Sequence, residues 1–534
     1  MALHEAAPLD ARASGDTALE RALRACVIES RRTGTPRVFS ARAALAACDP
    51  LAAYAAWEPA GDRFYWEHPS SGLAIGARGA VATIETAGAG RIREAARRAR
   101  ALFRSTSVVG DAAPPIAGPL LVGGFAFEDA GGASPDVAFD ARFDAGERVD
   151  PAAGEWRAYP PGRLVLPELL IVRAGQPTRA GGARAWCTAS LEVVPGTDVA
   201  DACRRLSSLL DEGRGFAWHV FRDAAADEIA DPLAYAAAGD AYRVAGDRAH
   251  AVYRAQVARA LEAVADGELE KVVLARSLEV THPGRFGLAP FLDRLRGAYP
   301  SCATFSVARG AHAFVAASPE RLVALGPGAG ETRPPRRVET GALAGSAPRG
   351  RTPEEDERIG RALRESKKDQ AEHATVVRAI RASLADVCGP LAGPESPGLL
   401  RVEGIQHLST PLCGALHPAR AATTGILELV DRLHPTPAVG GVPRRAALEW
   451  LRAHEGLTRG WYAGPIGFVD AHLGGEFFVG LRSALIRNPA PGVAGEAHAR
   501  LFAGAGIVLG SDPELELRET RLKLRALLAP LTEI

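Results

Sequence analysis

LFAGAGIVLGSDPELELRETRLK, residues 501–523, is the stretch on which the reading of the chain turns. It reads as an apolar strand end (Leu501 to Ala503), a tight glycine turn and the first turns of a helix. Gly504 and Gly506 let the backbone approach a ligand closely and aim its amides at an anion. Ser511 with Glu514 three residues on has the spacing of a capping box, which starts the helix at about Asp512. On that helix Glu516 and Glu519 are three apart and share a face, with Lys523 one further turn along. Two carboxylates, a lysine and an amide-lined turn suit an anion held through a hard divalent cation. The same pattern describes an ordinary turn and a solvated helix face, so the cation reading needs a second carboxylate pair elsewhere.

Composition bounds the rest. The 534 residues can bury a large core and allow two to four domains. Lys plus Arg and Asp plus Glu both number 63, so no basic excess draws the chain to nucleic acid or to an anionic membrane. Seven cysteines, an odd number without a CxxC pair, read neither as a disulfide framework nor as a zinc site, and point to a reducing cytoplasm. The first sixteen residues, MALHEAAPLDARASGD, have no apolar segment of a secretory signal, and no apolar run reaches the roughly 18 residues of a membrane span.

Along the chain, residues 1–45 read as an Ala/Arg-rich extension with a helix at 17–31. Residues 46–245 read as short strands (near 64 and 72, then 120–129, 163–175 and 183–194) with helices at 91–104 and 199–212. Segments 109–118, 130–155 and 222–240 read as loops. From 246 the pattern strengthens: an amphipathic helix at 249–267, strands at 269–280, 302–309 and 311–318, and one long helix from Thr352 to about 385. A strand at 399–409, helices at 424–433 and 443–454, and strands at 461–470 and 475–486 follow.

The second carboxylate pair lies on that long helix: Asp369 and Glu372 in SKKDQAEH are again three apart. One carboxylate from each helix as a direct ligand, its neighbour acting through water, suits magnesium, which keeps several waters. Two unrelated surface pairs remain the alternative, because acids are plentiful. Lys271 opens an apolar strand. It is either a solvated strand end or a desolvated general base. Glu320 in SPERL is either the opposing acid or an ion-pair partner of Arg321. Arg482 sits on an apolar strand, where a guanidinium needs an anion. His407 is a site-wall candidate.

Nine motifs in order carry a resemblance: KVVLAR (271–276), SPERL (318–322), GALAGSAPRG (341–350), SKKDQAEH (366–373), QHLST (406–410), HPTPAVGG (434–441), WYAGPIG (461–467), GLRSA (480–484) and AGAGIVLGSDPELELRET (503–520). Over 245–534 the chain resembles the chorismate-utilising enzymes, which include isochorismate, salicylate, anthranilate and aminodeoxychorismate synthases. Before residue 245 only GGFAFED (123–129) is similar. The resemblance implies an α+β fold: one large domain of layered antiparallel sheets with helices outside and a deep cleft.

It also implies roles. Members that use water carry lysine where this chain has Lys271; ammonia users have glutamine. Ala344 stands where some relatives place a nucleophilic lysine. Lys271 would therefore activate water for attack on ring carbon 2, and Glu320 would protonate the departing carbon-4 hydroxyl. Glu372 and Glu519 would ligate Mg2+, supported by Asp369 and Glu516. The ring carboxylate would be held with help from Gly345, Ser346, Gly504 and Lys523, Gly506 would also contact the substrate, and Arg482 with Tyr462 would clamp the enolpyruvyl carboxylate. Ala438 stands where several salicylate-forming relatives have threonine, which favours stopping at isochorismate. The expectation is thus a cytoplasmic, monomeric isochorismate synthase acting on chorismate, without an amidotransferase subunit, serving menaquinone or siderophore synthesis. A salicylate synthase, or a chorismate or metal binder without turnover, is the alternative.

Overall fold

The strand Lys271–Pro283 pairs antiparallel along its whole length with Glu496–Val508, residue 271 opposite 508 and residue 283 opposite 496. The AGAG segment therefore lies inside a strand, with Gly504 opposite Ala275 and Gly506 opposite Val273, and is not the glycine turn that its composition suggests. The turn comes later, at 509–512. The computed structural model describes residues 17–46, 48–58, 61–128, 152–175, 183–216, 242–326, 336–490 and 492–532. The loops read at 130–155 and 222–240 lie wholly or largely outside these.

Among the described residues the strands form two sheets, one of thirteen strands and one of nine. Pairing is antiparallel except between Arg37–Leu45 and Thr106–Gly110. The sheets face each other across a common apolar core, where Trp66 of the larger sheet meets Phe468 and Phe478 of the smaller at ring-centroid separations of 5.4 and 6.0 Å. The alternating apolar positions of each strand supply this inner face. Helices cover the outside, as amphipathic patterning requires.

The two halves of the chain are interleaved. In the larger sheet Asp62–His68 pairs with Ala303–Arg309; in the smaller, Leu120–Phe125 pairs with Pro465–Asp470. Residues 18–45 do not form an extension. The helix Ala18–Thr33 and the strand Arg37–Leu45 are built into the sheet edge around Leu23, Phe39 and Leu169.

Other local readings change for identifiable reasons. The helix starting at Thr352 ends at Glu365, and Ser366 caps a second helix, Lys367–Leu384, by accepting from the Asp369 amide. Residues 399–409 are a hairpin, Gly398–Val402 and Ile405–Ala415, because Gly404 turns the chain at φ +75°. Residues 163–175 split into Gly162–Leu166 and Leu169–Ala174. The last helix, Pro513–Thr532, is capped by Asp512, whose carboxylate accepts from the Glu514 and Leu515 amides. Ser511 instead accepts from Val508, and Glu514 pairs with Arg254, so no capping box forms.

One feature of the fold places the site directly. A two-stranded ribbon passes from one sheet into the other. His312–Ser318 pairs with Ser483–Arg487 in the larger sheet, and Arg321–Gly326 pairs with Gly475–Val479 in the smaller. At the corner the Ala317 amide donates to the Arg482 carbonyl (3.1 Å) and the Val479 amide to the Glu320 carbonyl (3.0 Å). Glu320 and Arg482 are thus the two corner residues. Arg482 holds a left-handed backbone, φ +47°, a conformation that costs a non-glycine residue about 1–3 kcal/mol.

Behind the same region lies a buried ion pair. Arg459 donates to Glu455 at 2.5 and 2.6 Å, to the Val273 carbonyl at 2.6 Å and to the Val439 carbonyl at 2.9 Å, and stacks 4.3 Å from the Phe127 ring centroid. Glu455 also accepts from the Ala275 amide at 2.8 Å. The pair fastens the Lys271 strand to the loop 434–441. Glu455→Ala strands a buried guanidinium and is expected to lower unfolding stability by about 3–5 kcal/mol in urea titrations; a loss below about 1 kcal/mol contradicts this role.

Candidate active site

A cleft of about 740 Å³ lies at the ribbon corner. Lys271 and Val273 enter it from one strand, Gly504 and Gly506 from its partner, and Glu320 and Arg482 from the corner. Gly345, Ser346, His407, Ala438 and Tyr462 also line it, and Glu372, Glu519 and Lys523 enter from two helices. Of the residues singled out in the sequence, only Asp369 and Glu516 lie outside the lining. Asp369 sits directly behind Gly345, whose added Cβ would meet the Asp369 Cβ at 3.1 Å. Glu516 is buried and paired with Lys368 at 2.9 Å.

The glycines matter here for space. A Cβ on Gly506 would lie 2.5 Å from Glu372 Oε1 and 3.0 Å from Lys271 Cε, and one on Gly504 3.0 Å from the Tyr462 hydroxyl. The GAG segment is a flat strand surface over which the charged groups of the cleft lie.

Lys271 is not a solvated strand end: it is 2% exposed, and its Nζ lies 2.8 Å from Glu372 Oε1. Glu320 is buried and is not paired with Arg321, which binds Glu476 and Glu339 instead. Burial pushes the Glu320 carboxyl up to about 7, although Lys271, a hydrogen bond from Thr436 and Lys523 pull the other way. A carboxyl that keeps its proton to higher pH than an ordinary glutamate therefore faces the same cleft as a lysine amine, the arrangement that acid–base chemistry needs.

Arg482 has no acidic partner among the described residues. Its Nη2 donates to His407 Nε2 at 2.7 Å, and Nη1 reaches Cys302 Sγ at 4.0 Å. An arginine can only donate, so His407 Nε2 accepts, and its other nitrogen lies 2.9 Å from Ser346 Oγ. Burial, Arg482 and Lys523 all push the His407 pKa well below its usual value, so the ring is neutral. The guanidinium in this corner remains uncompensated, which suits an anionic ligand group.

The four acidic residues of the two helices converge near the cleft and repel one another. Burial first, and also Glu372 and Glu519, raise the Asp369 pKa; burial and then Glu519 raise that of Glu516. Three lysines now offset this charge: Lys271 on Glu372, Lys368 on Glu516, and Lys523 on Glu519 at 2.7 Å. Lys523 also donates to the Gly504 carbonyl at 2.8 Å. Among the described residues no three His, Cys, Asp or Glu side chains already close a metal shell. The donor chemistry, all hard carboxylate oxygen under mutual repulsion, nevertheless fits a divalent cation that also takes waters and ligand oxygens.

Sequence reading missed several walls of this cleft. Val273, Leu343, Val439, Leu481 and Phe502 line it as apolar residues with no chemical signature. Thr436 and Lys368, which bond Glu320 and Glu516, stood inside quoted motifs but carried no spacing signal of their own.

A cleft with two lysine amines, a buried carboxyl, a guanidinium that has no acidic partner among the described residues and clustered carboxylates is the site of an enzyme that works on a small anion. Residues 20–532 match the family model described as chorismate binding enzyme, and the chain belongs to that family. It is 36% identical over 491 residues to the "Salicylate biosynthesis isochorismate synthase" of Pseudomonas aeruginosa, covering 91% of this chain and 88% of the relative. It is 30% identical over 495 residues to "Isochorismate synthase MenF" of Bacillus subtilis, covering 90% and 91%. The fold matches that of the menaquinone-specific isochorismate synthase MenF from Escherichia coli, with a TM-score of 0.67 at 24% identity over 96% of this chain and 100% of the other.

The raised Glu320 pKa has a stability consequence. The native state holds this proton up to about pH 7, whereas an unfolded glutamate loses it near 4.5. The contribution is therefore fully present below 4.5 and is lost as pH rises through about 7, a change on the order of 3 kcal/mol. Glu320→Gln is expected to flatten the stability profile between these limits. Equal slopes in variant and wild type contradict the assignment.

Proposed function

We propose that this protein converts chorismate to isochorismate, with Lys271 as base and Glu320 as acid. The observation that carries the reading is that these two groups face one cleft and are both buried, burial raising the pKa of the carboxyl. Chorismate is a dianion. In this reading Arg482 and the Tyr462 hydroxyl, which line the cleft, take one carboxylate, and Ser346, the Gly345 backbone and Lys523 take the other. Tyr462 stays protonated because burial raises its pKa, so it donates.

In this scheme Lys271 first gives up to solvent the proton it carries in its pair with Glu372, and the freed amine takes a proton from water as the water oxygen bonds to ring carbon 2. Both ring double bonds shift, C1=C2 to C1=C6 and C5=C6 to C4=C5, the carbon-4 C–O bond breaks, and Glu320 gives its proton to the departing oxygen. One water enters and one leaves, and one proton moves onto Lys271 as one leaves Glu320, so the reaction is an isomerisation. Glu372 and Glu519, with Asp369 and Glu516 behind them, would hold a divalent cation, magnesium in this reading, which when bound supplies Lewis-acid charge at the ring carboxylate. Apolar Val273, Leu343 and Phe502 limit water around the ring.

Ala438 offers no hydroxyl to the cleft, which favours release of isochorismate over onward elimination of pyruvate. The likeness to relatives from both salicylate and MenF-named branches supports the activity and leaves the pathway, menaquinone or siderophore, as part of the proposal. A monomer in the cytoplasm, needing no amidotransferase, completes it; among the described residues no helix is long and apolar enough to cross a membrane.

Incubation with chorismate and magnesium in ¹⁸O-water is expected to label the 2-hydroxyl of isochorismate without stoichiometric pyruvate. Unlabelled product refutes water attack, and salicylate with pyruvate moves the protein to the salicylate-forming branch. Glu519→Gln should raise the magnesium concentration for half-maximal rate at least about tenfold, the order of one lost carboxylate ligand. Glu514→Gln, at the exposed Arg254 pair, should change it little. Equal losses in both count against the metal assignment.

A further inference from the structure

The backbone of Glu320 is fixed at both ends. Its amide donates to Ser318 Oγ at 3.3 Å and its carbonyl accepts from Val479 at 3.0 Å. Its carboxyl is held separately. Thr436, buried in the loop 434–441, has its hydroxyl oxygen 3.5 Å from Glu320 Oε1, the long end of hydrogen-bonding distance, and 3.3 Å from the Ala438 amide nitrogen. Catalytic hydrogen bonds of this length commonly tighten on ligand binding.

The direction of this chain can be worked out. A backbone amide only donates, so Thr436 Oγ1 accepts from Ala438. Among the described residues the sole acceptor bonded to the hydroxyl is Glu320 Oε1. A buried hydroxyl hydrogen pointed elsewhere would be left unsatisfied. The hydrogen therefore goes to Oε1, and Oε1 is the carbonyl oxygen of the neutral carboxyl. Oε2 is left to carry the proton.

We propose that Thr436 is a positioning residue for Glu320, donating to Oε1 so that the transferable proton resides on Oε2. This rests on the reading of Glu320 as the acid. The loop that holds Thr436 is itself anchored to the strand of the base: the Val273 amide donates to the Gly440 carbonyl at 2.8 Å, and Arg459 bridges the Val439 and Val273 carbonyls. The Val439 and Gly440 amides both donate to the Thr436 carbonyl, at 3.1 and 2.9 Å, closing the loop on itself. The two ends of the proton path are thus referenced to one rigid frame, although they stand on different sheets.

The test uses the full chain as wild type, Thr436→Val and Thr436→Ser. Infrared difference spectra against Glu320→Gln, recorded at a pH where the carboxyl is neutral, isolate the Glu320 C=O stretch. A hydroxyl donated to Oε1 lowers that stretch. The valine variant should raise it and serine should restore it. With chorismate, valine should lower kcat about tenfold or more at a KM within about twofold, and serine should recover most of the rate. A stretch that does not move, a kcat that does not fall, or a serine variant as impaired as valine overturns the proposal. The failure of the underlying reading looks different: wild type itself then leaves chorismate unchanged, which removes the acid role for Thr436 to serve. A loosened fold is separated from both outcomes by the serine rescue.

Discussion

The corner at which one two-stranded ribbon leaves the larger sheet and joins the smaller is the constraint on which the site depends. Backbone bonds between Ala317 and Arg482 and between Val479 and Glu320 close it, so the chain has no freedom to slide there. The carboxyl and the guanidinium are presented by peptide geometry, before any side-chain packing is considered. The strained backbone of Arg482 is tolerated because pairing on both sides over-determines it. Rigid presentation of this kind is what keeps reacting groups within a fraction of an ångström of useful positions.

Charge is the second theme. The cleft region gathers four carboxylates, three lysines and an arginine. Each carboxylate that would hold a cation, apart from Asp369 with its Ser366 partner, is bonded to a lysine. The lysines make the cluster tolerable in the folded protein, and the same contacts are ones that an incoming cation and anion must exchange. Arg482 is the exception: its contacts within the described chain are neutral, so an anionic ligand meets the least competition there.

Much of this was legible in the sequence, and the reasons differ by residue. Lys271, Glu320, Glu372 and Glu519 could be named because polar groups in apolar strands and acids at helical spacing stand out from their surroundings, and because ordered motifs surround them. The helices at 91–104 and 444–454 were legible from apolar periodicity alone. What was not legible was tertiary. AGAG looks like a turn in any local window; only its partner strand makes it extended. Gly404 turns a hairpin whose two arms read as one apolar run. Thr436 is an ordinary threonine until the fold sets Glu320 against it. The break at Ser366 is a cap inside a continuous helical pattern, visible only once the chain changes direction there.

The interleaving of the halves has a bearing on how the molecule is made. Asp62–His68 cannot complete its pairing until Ala303–Arg309 exists, about 240 residues later, and Leu120–Phe125 waits still longer for Pro465–Asp470. During synthesis the early strands must therefore remain with open edges while most of the polypeptide is still to come, a period in which association with other nascent chains competes with native closure. The same topology means that a fragment beginning near residue 246 would inherit two unpartnered strand edges in place of a sheet interior. The motifs that line the cleft cluster in the second half, but the sheets that hold them draw strands from both halves.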